Sequence, residues 1–87
     1  MRELLITSQF RRDIKKIPDF IKQEADFILH KLRLNPFDSS LNIQKLKGFK
    51  PPIWRVRIGV YRIIYSFNNK FIVCLRFRHR KDIYREL

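Results

Sequence analysis

Apolar and polar residues alternate with a period of two over residues 54–67, where the chain reads Trp-Arg-Val-Arg-Ile-Gly-Val-Tyr-Arg-Ile-Ile-Tyr-Ser-Phe. Because alternate side chains of a strand point to opposite faces, this pattern predicts two strands joined by a turn at Gly59. Arg55, Arg57 and Arg62 fall on one face, which is therefore predicted to be basic. The predicted apolar face consists of Trp54, Val56, Ile58, Tyr61, Ile63, Tyr65 and Phe67.

Nearer the N terminus the period changes, and apolar residues recur three and four positions apart. Phe10, Ile14 and Ile17 have the spacing of one helical face. Ser8 and Asp19 stand where the N-caps of two successive helices are expected. The predicted elements are strands over residues 3–7, 43–46, 53–58, 60–67 and 70–77, and helices over residues 9–17 and 20–34.

This order, β-α-α-β-β-β-β, predicts an α+β fold in a single domain spanning residues 1–87. We expect a small, mostly antiparallel sheet with an N-terminal helical hairpin packed on one face. The other face of the sheet is expected to be partly bare. Residues 80–87 are predicted to form either a basic strand end or a short helix.

Strict alternation along the last strand places Ile72, Cys74, Arg76 and Arg78 on the basic face, beside the arginines of the two preceding strands. Cys74 is predicted to be a small packed residue there and not a nucleophile. The residues of a predicted apolar patch among the arginines are Ile64, Ile72 and Cys74. Exposed strand positions often carry charge simply to discourage edge pairing. The abundance of arginine favours anion binding instead, because the planar guanidinium fork matches phosphate geometry.

The net charge of +12 is unevenly distributed along the 87 residues. Residues 1–44 carry eight Lys and Arg against six Asp and Glu, whereas residues 45–87 carry twelve against two. A local excess of this size indicates a polyanionic partner such as RNA, DNA, an acidic protein or an anionic membrane. Composition alone does not choose among these partners.

Other chemistries have little support in the sequence. The single cysteine, Cys74, excludes an intramolecular disulfide, and metal-type Cys/His spacing is absent, so neither a metal nor a cofactor is expected. The N terminus has too short an apolar run for a signal peptide, and no stretch approaches the ~20 apolar residues that span a bilayer. We therefore expect a cytoplasmic protein without a membrane partner.

Several segments occur in an order and at a spacing that resemble a known family. They are Lys45-Leu46-Lys47-Gly48, the run from Trp54 to Tyr65, the run from Arg78 to Tyr84, and a helical hairpin that ends at Asn35-Pro36. Together they resemble the RelE/ParE toxin superfamily over nearly the whole chain. The RelE branch comprises toxins of type II toxin–antitoxin systems that cut messenger RNA in the ribosomal A site.

The resemblance implies a metal-independent endoribonuclease (an mRNA interferase) in which the ribose 2′-hydroxyl attacks the adjacent phosphate. The implied catalytic residues are Arg57, Arg62, Arg78, His79 and Tyr84. The implied RNA-binding residues are Lys45, Lys47, Arg55, Arg76, Arg80 and Lys81. The implied partners are the ribosome, mRNA and a cognate antitoxin, whose acidic helical segment docks on the apolar patch or across the helical hairpin.

The sequence leaves two questions open. Some family members have lysine where this chain has Arg55 and Arg57, and arginine is a poor base because it stays protonated. His79, Tyr84, or orientation of the 2′-hydroxyl alone therefore remain as explanations of proton transfer. The function itself has two alternatives, a ParE-type inhibitor of DNA gyrase without nuclease activity and a non-catalytic RNA-binding module.

Overall fold

The predicted order of helices and strands is confirmed, with a short 3₁₀ helix added at the end. The computed structural model describes residues 1–85. Strands are β1 Glu3–Ile6, β2 Ile43–Leu46, β3 Ile53–Ile58, β4 Tyr61–Phe67 and β5 Phe71–His79; helices are α1 Ser8–Ile14, α2 Asp19–Leu34 and the 3₁₀ helix Ile83–Arg85. No helix in this part of the chain is both long and apolar enough to cross a membrane.

The five strands form one sheet in the order β1-β5-β4-β3-β2. The four C-terminal strands are antiparallel neighbours; residues 47–52 connect β2 to β3, and short turns connect β3 to β4 and β4 to β5. Gly59 forms the turn between β3 and β4 with a φ of +58°, a conformation that glycine adopts at little cost. β1 lies parallel to β5 at one edge, so the sheet is mixed but mostly antiparallel, as predicted.

The helix ends differ in detail from the predicted ones. Thr7, not Ser8, caps α1: its hydroxyl accepts a hydrogen bond from the Phe10 N–H at 3.1 Å. The regular helix ends at Ile14, and tighter turns continue to Ile17. The predicted cap Asp19 lies inside the first turn of α2, where its negative charge interacts favourably with the positive end of the helix dipole.

The predicted apolar face packs against both helices and forms the main core. Tyr65 is buried at its centre, and its hydroxyl donates to the Pro36 carbonyl oxygen at 3.1 Å. Burial raises the pKa of this phenol. The buried members of the core are Phe10, Ile17, Ile21, Ala25, Ile28, Leu29, Leu32, Val56, Ile58, Ile63, Tyr65, Ile72, Cys74 and Phe77.

A β-bulge in β5 overturns the predicted position of Ile72 and Cys74. Ile64 pairs with Arg76, but the next residue of β4, Tyr65, pairs with Cys74, so Leu75 is an extra residue in β5. The insertion reverses the faces of the residues before it, and Ile72 and Cys74 therefore lie in the helix-side core. The predicted apolar patch does not exist, and burial raises the pKa of the Cys74 thiol to about 12.

The opposite face of the sheet is covered in part by the chain's own C-terminal segment. Ile83 of the 3₁₀ helix is 1% exposed and packs against Ile53 and Ile64. Leu46 and Leu75 lie at the margin of this second, smaller cluster. Of the alternatives left open for the C-terminal segment, a short helix is the one observed, and it anchors its neighbours on the basic face.

Candidate nucleic-acid interface

Three arginines form a row across the middle of the basic face. Arg57 of β3 is paired with Arg62 of β4, which is paired in turn with Arg78 of β5. Neighbouring strands lie about 4.8 Å apart, so paired residues on one face are close neighbours. The next row contains Arg55, Ile64 and Arg76, which surround the small apolar cluster with further positive charge.

Arg62 is held rigidly at the centre of the row. It is 6% exposed, and its Nη1 donates to the carbonyl oxygens of Gly59 at 2.9 Å and Tyr61 at 2.8 Å. Burial, and then repulsion from Arg57 and Arg55, lowers the pKa of the Arg62 guanidinium. Positive charge is therefore concentrated around Arg62 despite the repulsion from neighbouring arginines, and a bound anion would relieve that repulsion.

Tyr84 completes the row from the C-terminal segment. Its side chain is 50% exposed, and the nearby Tyr84 phenol, through its charge and its hydrogen-bonding capacity, opposes the lowering of the Arg62 pKa. The preceding residue, Ile83, is buried beneath it on the same face of the sheet. The 3₁₀ helix therefore places a phenol beside the central guanidinium while leaving it accessible to a ligand.

The buried carboxylate of Asp13 organises the β5 end of the site. Its Oδ2 accepts hydrogen bonds from Arg76 Nε and from the Phe77 N–H, each at 2.9 Å, and its Oδ1 accepts one from Arg76 Nη2 at 3.2 Å. Arg78 Nη1 lies 4.0 Å from Oδ1. Arg76 is thus drawn to the sheet edge, and α1 is fastened to β5 at the point where β1 has ended.

Asp13 was not among the predicted site residues, although the sequence contains a signal for it. It is one position before Ile14 on the helical face of Phe10 and Ile17, where an apolar residue is expected. An acidic residue at a buried helical position requires a cationic or hydrogen-bonding partner. The arginine-rich β5 offered one.

Two predicted residues lie on the other side of the sheet. His79 pairs with Tyr61 and its ring centroid lies 5.5 Å from the Tyr61 ring, on the helix-facing side and away from Arg57 and Arg62. Its Nδ1 accepts the Lys81 N–H at 3.1 Å. Lys45 pairs with Trp54, and its Nζ lies 5.8 Å from the Trp54 ring centroid. The structure therefore places neither of these two side chains on the basic face.

The remaining predicted RNA-binding residues lie around the margin of the basic face. Arg55 donates to the Gln44 side-chain oxygen and to the Asn42 carbonyl, which fixes it near β2. Lys47 is exposed in the connection from β2 to β3. Arg80 and Lys81 are exposed in the turn after β5, where the Arg80 N–H donates to the Val60 carbonyl at 2.7 Å. Their side chains are accessible to a long anionic strand.

Taken together, this face can bind a phosphate and stabilise added negative charge on it. The row offers three guanidinium groups side by side, and the central one is held in place by two backbone carbonyl oxygens. Fixed donors at a developing charge are a strong source of rate acceleration in phosphoryl transfer. The phenol of Tyr84 adds a group that donates or accepts a hydrogen bond beside them.

Comparison with solved structures identifies the class of protein. The fold matches the crystal structure of a RelB–RelE antitoxin–toxin complex from Methanococcus jannaschii with a TM-score of 0.80 and 30% identity, covering 95% of this chain and 98% of the other. It matches an archaeal RelE–RelB complex from Pyrococcus horikoshii with a TM-score of 0.78 and 25% identity, covering 91% and 94%. The sheet and the helical hairpin are those of a RelE-like toxin.

The family follows from sequence comparison. The model of the ParE toxin of type II toxin–antitoxin systems, parDE, matches residues 4–84, and the chain belongs to this family. A curated relative, toxin RelE3 of Methanocaldococcus jannaschii, is 34% identical in an alignment 86 positions long. The alignment covers 94% of this chain and 94% of the relative. The predicted resemblance is confirmed, and the protein is a type II toxin of the RelE type.

Proposed function

We propose that this toxin is an endoribonuclease that cleaves messenger RNA on the ribosome, acting in the cytoplasm. The observation that carries the proposal is the row Arg57, Arg62 and Arg78 with Tyr84 beside its central member. Arginines that only keep a surface soluble do not need to be buried next to one another. A site that binds a scissile phosphate gains from a guanidinium that is held in place in this way.

In the proposed reaction the ribose 2′-oxygen attacks the adjacent phosphorus. The bond from phosphorus to the 5′-oxygen breaks, which leaves a 2′,3′-cyclic phosphate and a 5′-hydroxyl. The three arginines neutralise the charge that grows on the phosphoryl oxygens, so the reaction is proposed to need no metal ion. Tyr84 passes its proton to the leaving oxygen and regains one from the 2′-hydroxyl, because arginine remains protonated and His79 lies on the other face.

The charge distribution supports the proposed partners. Residues 45–87, which carry most of the net charge of +12, supply the basic face and its margin, as expected for a protein that binds mRNA within the ribosome. We also propose a cognate antitoxin with an acidic helical segment. The support is that both archaeal relatives named above are toxins in complexes with RelB antitoxins. The loss of the predicted apolar patch leaves the helical hairpin as the proposed docking site.

Inhibition of DNA gyrase is the second candidate function, because the matching family model is that of the ParE toxin and the ParE-type alternative is a gyrase inhibitor. A gyrase inhibitor does not require a phenol beside a buried arginine. The relatives called RelE and the geometry of the row both favour the nuclease.

The two functions separate in a translation assay with primer extension on the message. We expect the wild type to produce cuts in the A-site codon, and Arg57→Ala and Tyr84→Phe each to lower the cleavage rate by on the order of 10²–10³. Arg11→Ala, an exposed arginine on α1, is the matched control and should cleave normally. Uncut message together with gyrase–DNA cleavage complexes would support the ParE function, and uncut message alone a non-catalytic RNA-binding module.

A further inference from the structure

The outer side of α2 carries an exposed apolar stripe that the sheet does not use. Phe20, Phe27 and Leu34 are 70%, 62% and 58% exposed, and they follow one another at intervals of seven residues. The intervals place them on one line along the helix, about 21 Å long. The side of α2 that packs on the sheet is formed by other residues, namely Ile21, Ala25, Ile28, Leu29 and Leu32.

The residues beside the stripe carry opposite charges that would pair between two copies of the helix. Glu24 follows Phe20 by four positions, and Lys31 follows Phe27 by four, so both lie along the same side of the stripe. When two copies of such a helix pack in antiparallel orientation, residues on corresponding sides of the two stripes face each other. A two-fold axis at Phe27 then sets Glu24 of each copy against Lys31 of the other, and Phe20 against Leu34.

We propose that α2 is a self-association surface at which two copies of this chain pack with antiparallel α2 helices. A symmetric interface of this kind must be self-complementary, and the stripe satisfies that condition in both its apolar and its charged residues. The Lys31 Nζ lies 5.0 Å from the Phe27 ring centroid, near the proposed two-fold axis, and donates to the exposed Ser40 Oγ at 3.0 Å, which keeps the charge beside the stripe. The antiparallel orientation also opposes the two helix dipoles favourably.

The large net charge does not prevent this association. The formal charge of α2 is zero, because Asp19, Glu24 and Asp26 balance Lys22, Lys31 and Arg33. The arginine row lies on the opposite face of the sheet, in a molecule 24–30 Å across. Since the Debye length at physiological salt is about 8 Å, repulsion between the two basic faces is largely screened. Both basic faces point outward in the pair and remain accessible. Because the proposed antitoxin docks across the same helical hairpin, the pair is proposed for the toxin free of antitoxin, and the two partners compete for α2.

Sedimentation of the purified full chain over a range of concentrations tests the proposal. We expect a reversible dimer with a dissociation constant of roughly 10–100 μM, as for a small interface. Phe27→Glu places two carboxylates together at the two-fold axis and should weaken the dimer at least 100-fold. Leu5→Glu, which changes an exposed apolar residue of the edge strand β1, is the matched control and should dimerise normally.

The charges supply a second test that does not depend on apolar contacts. Glu24→Lys and Lys31→Glu should each weaken the dimer by roughly tenfold, and the double variant should recover the wild-type affinity. A wild type that stays monomeric at several hundred micromolar overturns the proposal. So does dissociation by Leu5→Glu but not by Phe27→Glu, which indicates pairing of sheet edges, or a double variant that is no better than the single ones.

Discussion

On the helix side of the sheet, fourteen buried residues form one cluster, whereas the cluster on the arginine side consists of Ile53, Ile64 and Ile83 with two partly buried neighbours. The first face is closed by two helices. The second is closed by one turn of 3₁₀ helix from the chain's own C-terminal segment. The two faces therefore differ in how much apolar contact supports each residue.

This difference teaches how a small protein combines a stable core with an exposed face rich in arginine. The helix side supplies most of the apolar burial, so the other face can hold five arginines whose mutual repulsion costs stability. The small cluster then has one main task, which is to hold the segment that carries Tyr84. We expect substitutions on the two faces to separate stability from activity.

The largest effect is expected from a matched pair of neighbours in β4, Ile63 and Ile64, which are both fully buried but on opposite faces. Ile63→Ala should lower the free energy of unfolding by about 4 kcal/mol, because the packed main core cannot collapse into the cavity. Ile64→Ala should cost about 2 kcal/mol, since the smaller cluster can relax. Urea denaturation followed by circular dichroism measures both, and equal losses would contradict the proposed difference between the faces.

The link between the faces is the ion pair of Asp13 with Arg76, and breaking it should have the second largest effect. Asp13→Asn removes the charge of a buried carboxylate that accepts from Arg76 and from the Phe77 N–H, and it should cost about 3 kcal/mol. The control is Asp19→Asn, because the Asp19 side chain is 95% exposed and its pair with Lys22 is open to solvent. Little change is expected there. Thermal melts in low salt compare the two, and a similar result for both would mean that Asp13 does not fasten α1 to β5.

The same comparison explains what could be predicted from the sequence. The strand pairs and their apolar face were predictable because alternation in β3 and β4 is strict and Gly59 marks the turn. The bulge was not predictable, because residues 71–75 are all apolar and a run without polar residues does not show which of its members face the core. One insertion therefore moved Cys74 to the core while Arg78, beyond it, kept its predicted face.

Residues at the margin of the site were harder to predict than its centre. His79 lies two positions after Phe77, so alternation by itself places it on the helix side; its nearness to arginines in the sequence is a poor guide to nearness in space. Lys45 depended on the pairing register of β2, which the short strand Ile43–Leu46 does not reveal before its partner is known. Thr7 and Ser8 are both good N-caps, and only the structure distinguishes them.

The third effect depends on pH and sharpens the contrast between the two faces of the sheet. Burial disfavours a charged group in the core on the helix side, whereas the other face carries five arginines. Cys74 has its pKa raised to about 12, and the pKa of Tyr65 is raised as well, so the folded state binds both protons more tightly than the unfolded chain. The contribution of these two groups to the free energy of unfolding should be constant below about pH 8 and fall by about 1–3 kcal/mol between pH 9 and 11. Denaturation in reducing buffer at several pH values measures this fall, and Cys74→Ala should make the free energy of unfolding less dependent on pH. An unchanged dependence in this variant would mean that groups other than Cys74 cause the loss.

The smallest effect concerns RNA affinity and compares single exposed arginines on the two sides of the sheet. Arg80→Ala, at the margin of the basic face, should weaken binding of single-stranded RNA less than tenfold and reduce the slope of log K against log salt by about 0.7, as expected for one lost phosphate contact. Arg11→Ala removes the same charge from α1 and should leave the slope unchanged. Because both variants change the net charge by one, equal slopes would show that overall charge, and not the basic face, determines binding. A smaller slope for Arg80→Ala alone would indicate that the bound RNA passes the end of β5. The proposed site of the scissile phosphate, the row of Arg57, Arg62 and Arg78, lies next to this end.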